Sequence, residues 1–201
     1  MGCLYVRRKP RIRLISQIDG GGQERLIRSG TLPTPLIVGF SEALKISNDN
    51  LDINIKKLKK MRDKLHKNLT TDVSGIILNG PSIDGDRLPN NLNYTVKGIS
   101  GANLTEVLGD QVAFSAGSAC ATGGIEPSYV LNSIGLDDES ALSSFRISVG
   151  RNTTIKDINT ASKIISDKIK VLKNLWELKL PKIIFKYKDK EVIICLLYTS
   201  P

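Results

Sequence analysis

The run Phe114-Ser-Ala-Gly-Ser-Ala-Cys120-Ala-Thr-Gly-Gly-Ile-Glu126-Pro-Ser128 limits what this chain can fold into more than any other stretch. It sets a thiol among residues too small to bury it, and Gly117, Gly123 and Gly124 loosen the backbone around it. An apolar segment leads in. On the far side Glu126-Pro127-Ser128 opens a helix carrying Tyr129, Val130, Leu131 and Ile134, which Gly135 closes. The loop is therefore expected to be held at both ends and loose between them. Structural cysteines usually lie among bulky apolar neighbours, so Cys120 reads as a reactive thiol.

Around this loop the pattern is α/β. Strands are expected at 74–78, 91–96 and 111–115, with a turn-rich loop from Asn79 to Pro89 and a helix beginning near Ser100. Ser144 to Gly150 alternates as a strand with Arg146 at its centre. A mid-strand arginine can simply face solvent, but beside a reactive cysteine it is suited to clamping a carboxylate. Thr154-x-x-Asp157 starts the last clear helix, whose buried side carries Ile155, Ile158, Ala161, Ile164, Ile165, Ile169 and Leu172.

Earlier in the chain, residues 3–8 and 12–16 read as short strands. The glycine-rich segment Gly20 to Thr31 offers backbone N–H groups, two arginines and two hydroxyls; it suits a phosphate or carboxylate, and equally a solvated loop. Thr34 is expected to cap a helix with Pro35 at its first position and Leu36, Ile37, Phe40, Ala43 and Leu44 on one face. Asn48-Asp49-Asn50 interrupts it. A second helix follows, with Leu51, Ile55, Leu58, Met61, Leu65 and Leu69 expected in the core. His66, the single histidine, lies on that helix's basic side and is expected to lack both burial and a partner. Lys182 to Tyr198 has the pattern of a hairpin around Lys188-Asp189-Lys190, or of an aggregation-prone tail foreign to the domain, with Cys195 as an apolar passenger.

The formal charge of +9 raises the question of nucleic acid or a membrane surface. Its lysines and arginines cluster at 7–13 and 56–67 without interleaved aromatics or a recognisable reading motif, so no nucleic-acid role is expected. The longest uncharged apolar run, Val192 to Tyr198, is far short of the roughly 20 residues of a membrane span, and no membrane role is expected. Cys3, Cys120 and Cys195 are too scattered for a metal cluster or a disulfide framework.

Leu4-Tyr-Val-Arg-Arg-Lys-Pro10, Gly20-Gly-Gly-Gln-Glu-Arg25, Arg28-Ser-Gly-Thr-Leu-Pro33, Gly117-Ser-Ala-Cys120, Glu126-Pro-Ser-Tyr-Val-Leu131 and Ser143-Ser-Phe-Arg146, in that order, resemble a cysteine desulfurase of the iron-sulfur-assembly type. That family belongs to the class V aminotransferase-like branch of the pyridoxal 5'-phosphate enzymes, and the resemblance runs from residue 2 to about residue 178. It implies an α/β chain of the fold type I kind: 1–33 as a remnant of the large cofactor-binding domain, 34–70 as connecting helices, 71–178 as the small domain, and 179–201 as a non-native tail.

It also implies roles. Cys120 attacks the sulfur of L-cysteine, leaving L-alanine and a persulfide for an iron-sulfur scaffold or other acceptor. Arg146 grips the substrate carboxylate. Thr31 reaches the cofactor phosphate of a neighbouring subunit, which makes a homodimer. The lysine that anchors the cofactor would lie before this chain's start, with the residues that stack on the ring and pair with its nitrogen. The chain alone is therefore expected to be an inactive C-terminal portion. The cytoplasm of a bacterium or the mitochondrial matrix is the expected compartment. A selenocysteine lyase of the same branch, or a non-catalytic sulfur-relay module, are the rival readings.

Overall fold

A computed structural model describes residues 2–109, 111–115, 126–177, 183–187 and 190–194. The chain divides into two compact units, Met1–Ile53 and Asn54–Pro201, each taken by itself below.

In the first unit the segments 3–8 and 12–16 belong to no sheet, and residues 8–11 form a turn. This corrects the expected strands. A strand requires a neighbour for its backbone groups, and none lies alongside among the described residues; Leu4 and Ile15 are exposed. The glycine-rich segment closes on itself instead. The Ser29 hydroxyl donates to the carbonyls of Ile18 (3.0 Å) and Asp19 (2.8 Å), and Gly30 N–H donates to the Gln23 side-chain oxygen at 3.2 Å. Gly20 is required there: its φ is +144°, and a Cβ would lie 3.0 Å from Ser29 Oγ. Glu24, Arg25 and Leu26 follow with φ of 49°, 60° and 67°, a left-handed turn that costs a non-glycine residue about 1–2 kcal/mol at each position.

Helix α1 spans Thr34–Asp49 and ends where Asn50 N–H turns back to Ile46. Thr34 does not cap it. Its hydroxyl and N–H both turn back to the Leu32 carbonyl, Pro33 precedes the first turn, and Pro35 lies inside it. Helix α2, Leu51–Asp72, is buried only in its second half: Met61, Leu65 and Leu69 are core, whereas Leu51 and Ile55 are exposed. The expected core stripe is thus correct only from about Leu58 onward, because only that length of helix has a sheet beneath it within its unit.

The second unit is built on an antiparallel sheet in which β2, Asn91–Val96, lies between β1, Ile76–Leu78, and β3, Ser144–Ser148. The register pairs Leu78 with Tyr94, Asn93 with Arg146, and Thr95 with Ser144. Side chains alternate across a strand, which gives the sheet two unlike faces. Leu92, Tyr94, Val96, Phe145 and Ile147 form the apolar one, packed against α2, α3 (Gly101–Leu108) and α6 (Ile155–Glu177). Asn91, Asn93, Thr95, Ser144, Arg146 and Ser148 form the polar one. Two short helices, α4 (Tyr129–Ser133) and α5 (Asp138–Leu142), lie near its Ser144 end. The expected strand at 111–115 is reduced to a single bridge, Ser115 to Arg146. A separate antiparallel pair, β4 (Ile183–Tyr187) with β5 (Lys190–Ile194), has the hairpin register.

Ser100 caps α3 by accepting from Asn103 N–H at 3.1 Å. At the start of α6 the Asp157 carboxylate accepts from Thr154 N–H (2.9 Å) and Oγ1 (2.8 Å), and Asp157 N–H donates to Thr154 Oγ1 at 3.2 Å. These hydrogen bonds, led by the one from the Thr154 side chain, hold the Asp157 carboxyl below its ordinary range. A carboxyl with a depressed folded pKa stabilises above its unfolded value and loses that stabilisation as pH falls through the folded one. Asp157→Asn should therefore melt below the parent at neutral pH, with the gap closing below pH ~4 when thermal unfolding is followed across pH.

Candidate active site

Arg146 occupies the centre of the polar face, and its backbone is committed on one side only. Ser115 N–H donates to the Arg146 carbonyl at 3.0 Å, and Arg146 N–H donates to the Ser115 carbonyl at 2.7 Å. In an antiparallel ladder the N–H and C=O of one residue point to the same neighbour, so Arg146 meets Asn93 as a non-hydrogen-bonded pair. Such pairs bring side chains closest, with Cβ atoms roughly 4.5–5.5 Å apart. The Asn93 carbonyl agrees, since it points the other way and accepts from Asn79 N–H at 2.9 Å. Arg146 and Asn93 are thus neighbours on the polar face, each on a backbone held from its far side.

They line a cavity of about 280 Å³ with Asn91, Ser115, Ser128, Ser144, the α4 residues Val130 and Leu131, and Ile134 just past that helix. Arg146 is exposed and forms no ion pair; among the described residues only Arg62 and Asp63 do, at 2.7 Å. The described lining offers one guanidinium, carboxamides and hydroxyls against an apolar edge, and no described carboxylate neutralises the cation. A planar cation in that setting is suited to a bidentate carboxylate.

The other expected site residues fall elsewhere. Thr31 lies exposed in the first unit, directly after Gly30. Cys120 lies outside the described residues, although Ser115, where its loop departs, is the residue bonded to Arg146. His66 corrects the expectation of a solvated, unpartnered side chain: its Nδ1 lies 2.8 Å from the Tyr94 hydroxyl, and the two rings stack at 6.1 Å. Burial, then the Arg87 charge, pushes the His66 pKa below its ordinary value, and burial pushes the Tyr94 hydroxyl up. Tyr94 is on the apolar face, so His66 belongs to the packing on the opposite side of the sheet from Arg146.

Asn91 and Asn93 are the site residues that a strand assignment alone does not reveal. The signal for them is the alternation Asn91-Leu92-Asn93-Tyr94-Thr95, whose polar members share Arg146's face once the register is known. The segment before this strand is pinned by two arginines. Arg62, 2% exposed, donates to the carbonyls of Ile83 (2.9 Å) and Leu88 (3.1 Å), and Arg87 to that of Asn79 (2.7 Å).

Comparison with known proteins agrees with this picture. The aminotransferase class-V family model matches residues 9–160. The cysteine desulfurase IscS of Rickettsia bellii is 42% identical over 181 residues, covering 89% of this chain and 43% of that protein. That of Tolumonas auensis is 44% identical, with 89% and 44% covered. Among solved structures, a NifS-like protein aligns with a TM-score of 0.69 at 30% identity, covering 83% of this chain and 41% of the other. A NifS-like protein of Rickettsia africae aligns at 0.66 and 28%, covering 79% and 41%. The chain spans less than half the length of these relatives. With an α/β unit of this architecture and a family model matched over most of its length, the chain belongs to the class-V aminotransferases.

Proposed function

We propose that this chain supplies the substrate-holding and sulfur-accepting side of a cysteine desulfurase. The observation that carries the reading is the Arg146 guanidinium, paired with no described carboxylate and set in a cavity whose wall includes the residue from which the cysteine loop departs. Relatives bearing the name cysteine desulfurase, at 42–44% identity, support it.

The family depends on pyridoxal phosphate, which needs an amine for its aldehyde and an acid beside its ring nitrogen. Among the described residues the Arg146 cavity has neither: no described lysine, aspartate or glutamate lines it. That lining fits the carboxylate end of an amino acid and does not fit the cofactor. When bound, the cofactor supplies an electron sink for the substrate. This chain's part is to hold the L-cysteine carboxylate at Arg146 and present the Cys120 thiolate to the substrate sulfur. An S–S bond forms, the substrate Cβ–S bond breaks, the carbon takes up a proton, and the products are L-alanine and a persulfide on Cys120. Thr31 is placed, in the same reading, toward the cofactor phosphate of a second subunit, and a scaffold protein receives the sulfur.

The test is kinetic. In the assembled enzyme, meaning this chain joined to the lysine-bearing segment, Arg146→Ala should lower kcat/KM for L-cysteine by about 100-fold, chiefly through KM. Arg146→Lys should recover little, since an ammonium lacks the fork of the guanidinium. The purified chain alone should release no alanine from cysteine with pyridoxal phosphate present; turnover by it would overturn the division of labour proposed here.

A further inference from the structure

A buried polar chain runs beneath the Arg146 cavity. The Ser144 hydroxyl donates to the Ser140 carbonyl at 2.6 Å, and Thr95 Oγ1 lies 2.8 Å from Ser144 Oγ. Asn79 Nδ2 lies 2.9 Å from Thr95 Oγ1, 3.2 Å from Ser144 Oγ and 2.6 Å from Asn93 Oδ1. Asn79, Thr95 and Ser144 are 8%, 2% and 1% exposed, so a mismatched polar contact among them cannot be repaired by water.

The protons in this chain have one direction. A carbonyl cannot donate, so the Ser144 proton is committed to Ser140, and Ser144 Oγ can only accept from its other neighbours. With Thr95 Oγ1 also 3.1 Å from Asn79 Oδ1, the orientation that turns the Asn79 amide nitrogen toward Ser144 Oγ gives Ser144 Oγ, Asn79 Oδ1 and Asn93 Oδ1 each a donor. The same NH2 group faces Asn93, which turns the Asn93 oxygen inward. What remains to Asn93 is its NH2 edge, which no other described residue engages, and Asn93 lines the cavity beside Arg146.

We propose that Asn93 is a second carboxylate-reading residue, and that Asn79 is a positioning residue that holds the Asn93 carboxamide with its NH2 edge toward the ligand. The inference rests on the reading of Arg146 as the carboxylate grip and extends it. A guanidinium fork satisfies one lone pair on each carboxylate oxygen, and a neighbouring amide N–H satisfies a further one. The pair also discriminates. A ligand with a carboxamide in place of the carboxylate presents its own NH2 to two donors and leaves a hydrogen bond unmade.

The experiment is a titration of the 201-residue chain with L-alanine, and with L-alaninamide as the control, followed by NMR at the Asn93 side-chain NH2 and the Arg146 Nε–H. L-alanine should shift both signals, and L-alaninamide should shift them far less. Asn93→Asp, which replaces the donor by an acceptor, should weaken L-alanine binding by about tenfold or more. Asn93→Ala should weaken it by about five- to tenfold. Asn79→Asp, at a position that does not touch the ligand, turns the Asn93 NH2 inward and should weaken L-alanine about fivefold while leaving the response to L-alaninamide unchanged. A general loss of packing would move both ligands together. If Asn79→Asp does not fold, the Asn93 variants carry the test, since that side chain is only half-buried.

Arg146→Lys run in parallel separates the two levels. Loss of L-alanine binding in Arg146→Lys with parental binding in both Asn93 variants would overturn the role of Asn93 and leave the Arg146 reading standing. Parental binding in Asn79→Asp, with the Asn93 variants impaired, would overturn the positioning role. No carboxylate response in the parent chain, or one indifferent to Arg146→Lys, would overturn both readings.

Discussion

Phe145→Ala is expected to destabilise the second unit by about 3–5 kcal/mol, a large part of what holds a domain of this size folded. Phe145 is 2% exposed and sits against two other rings, Tyr94 at 5.9 Å and Phe114 at 6.0 Å, the latter edge-on. Its loss opens a void between β3 and the covering helices and removes both aromatic contacts. The effect should also reach the site. Phe145 and Arg146 are successive residues on opposite faces of one strand, so a slackened apolar face loosens the ladder from which the guanidinium projects. Urea unfolding read by circular dichroism gives the first quantity, and the Arg146 Nε–H signal during an L-alanine titration reports the second. A loss below about 1 kcal/mol would mean that the neighbouring rings collapse into the space and that the packing around Phe145 is softer than its burial indicates.

In the assembled enzyme, Cys120→Ser is expected to lower sulfur transfer by a factor on the order of 10³ or more, as removal of a nucleophile does elsewhere. A serine hydroxyl is nearly isosteric with the thiol, yet it cannot hold a transferable sulfane sulfur and is hardly ionised at neutral pH. Substrate binding at Arg146 should survive the change, so the loss appears in kcat and in the persulfide mass increment on this chain, with KM for L-cysteine little altered. The two variants thus divide the proposed labour: Arg146→Ala acts on binding and Cys120→Ser on transfer. Undiminished sulfur delivery by Cys120→Ser would remove the chemical basis of the proposal.

Where local pattern and tertiary pairing agree, the fold is legible in the sequence. Strand β2 appears at 91–96 as its alternation requires, and α6 begins at the Thr154–Asp157 box. The misreadings share one cause, which is that an apolar pattern says which residues would be buried together but not whether anything lies against them. Residues 3–8 and 12–16 read as strands and have no neighbouring strand among the described residues; Leu51 and Ile55 continue a helical stripe beyond the edge of the sheet that buries Leu65 and Leu69. His66 was hidden for a related reason: a basic helix face suggests solvent, and only the register of β2 shows that the Tyr94 hydroxyl comes within reach. The candidate site divides the same way. Arg146 is conspicuous as a cation between Phe145 and Ile147, whereas Asn79 and Asn93 acquire meaning only from pairings across strands.

The two sides of the cavity differ in how they are built. Its floor is a paired sheet backed by the main core, while its rim includes the five-residue helix α4 and the residue that follows it, with Val130 and Ile134 largely exposed. A helix that short has little stability of its own and can refashion its outline without disturbing the ladder beneath. On the proposed reading, changes at Val130 and Ile134 retune which amino acids are admitted while the anchoring chemistry stays constant, so selectivity and grip sit on separate elements.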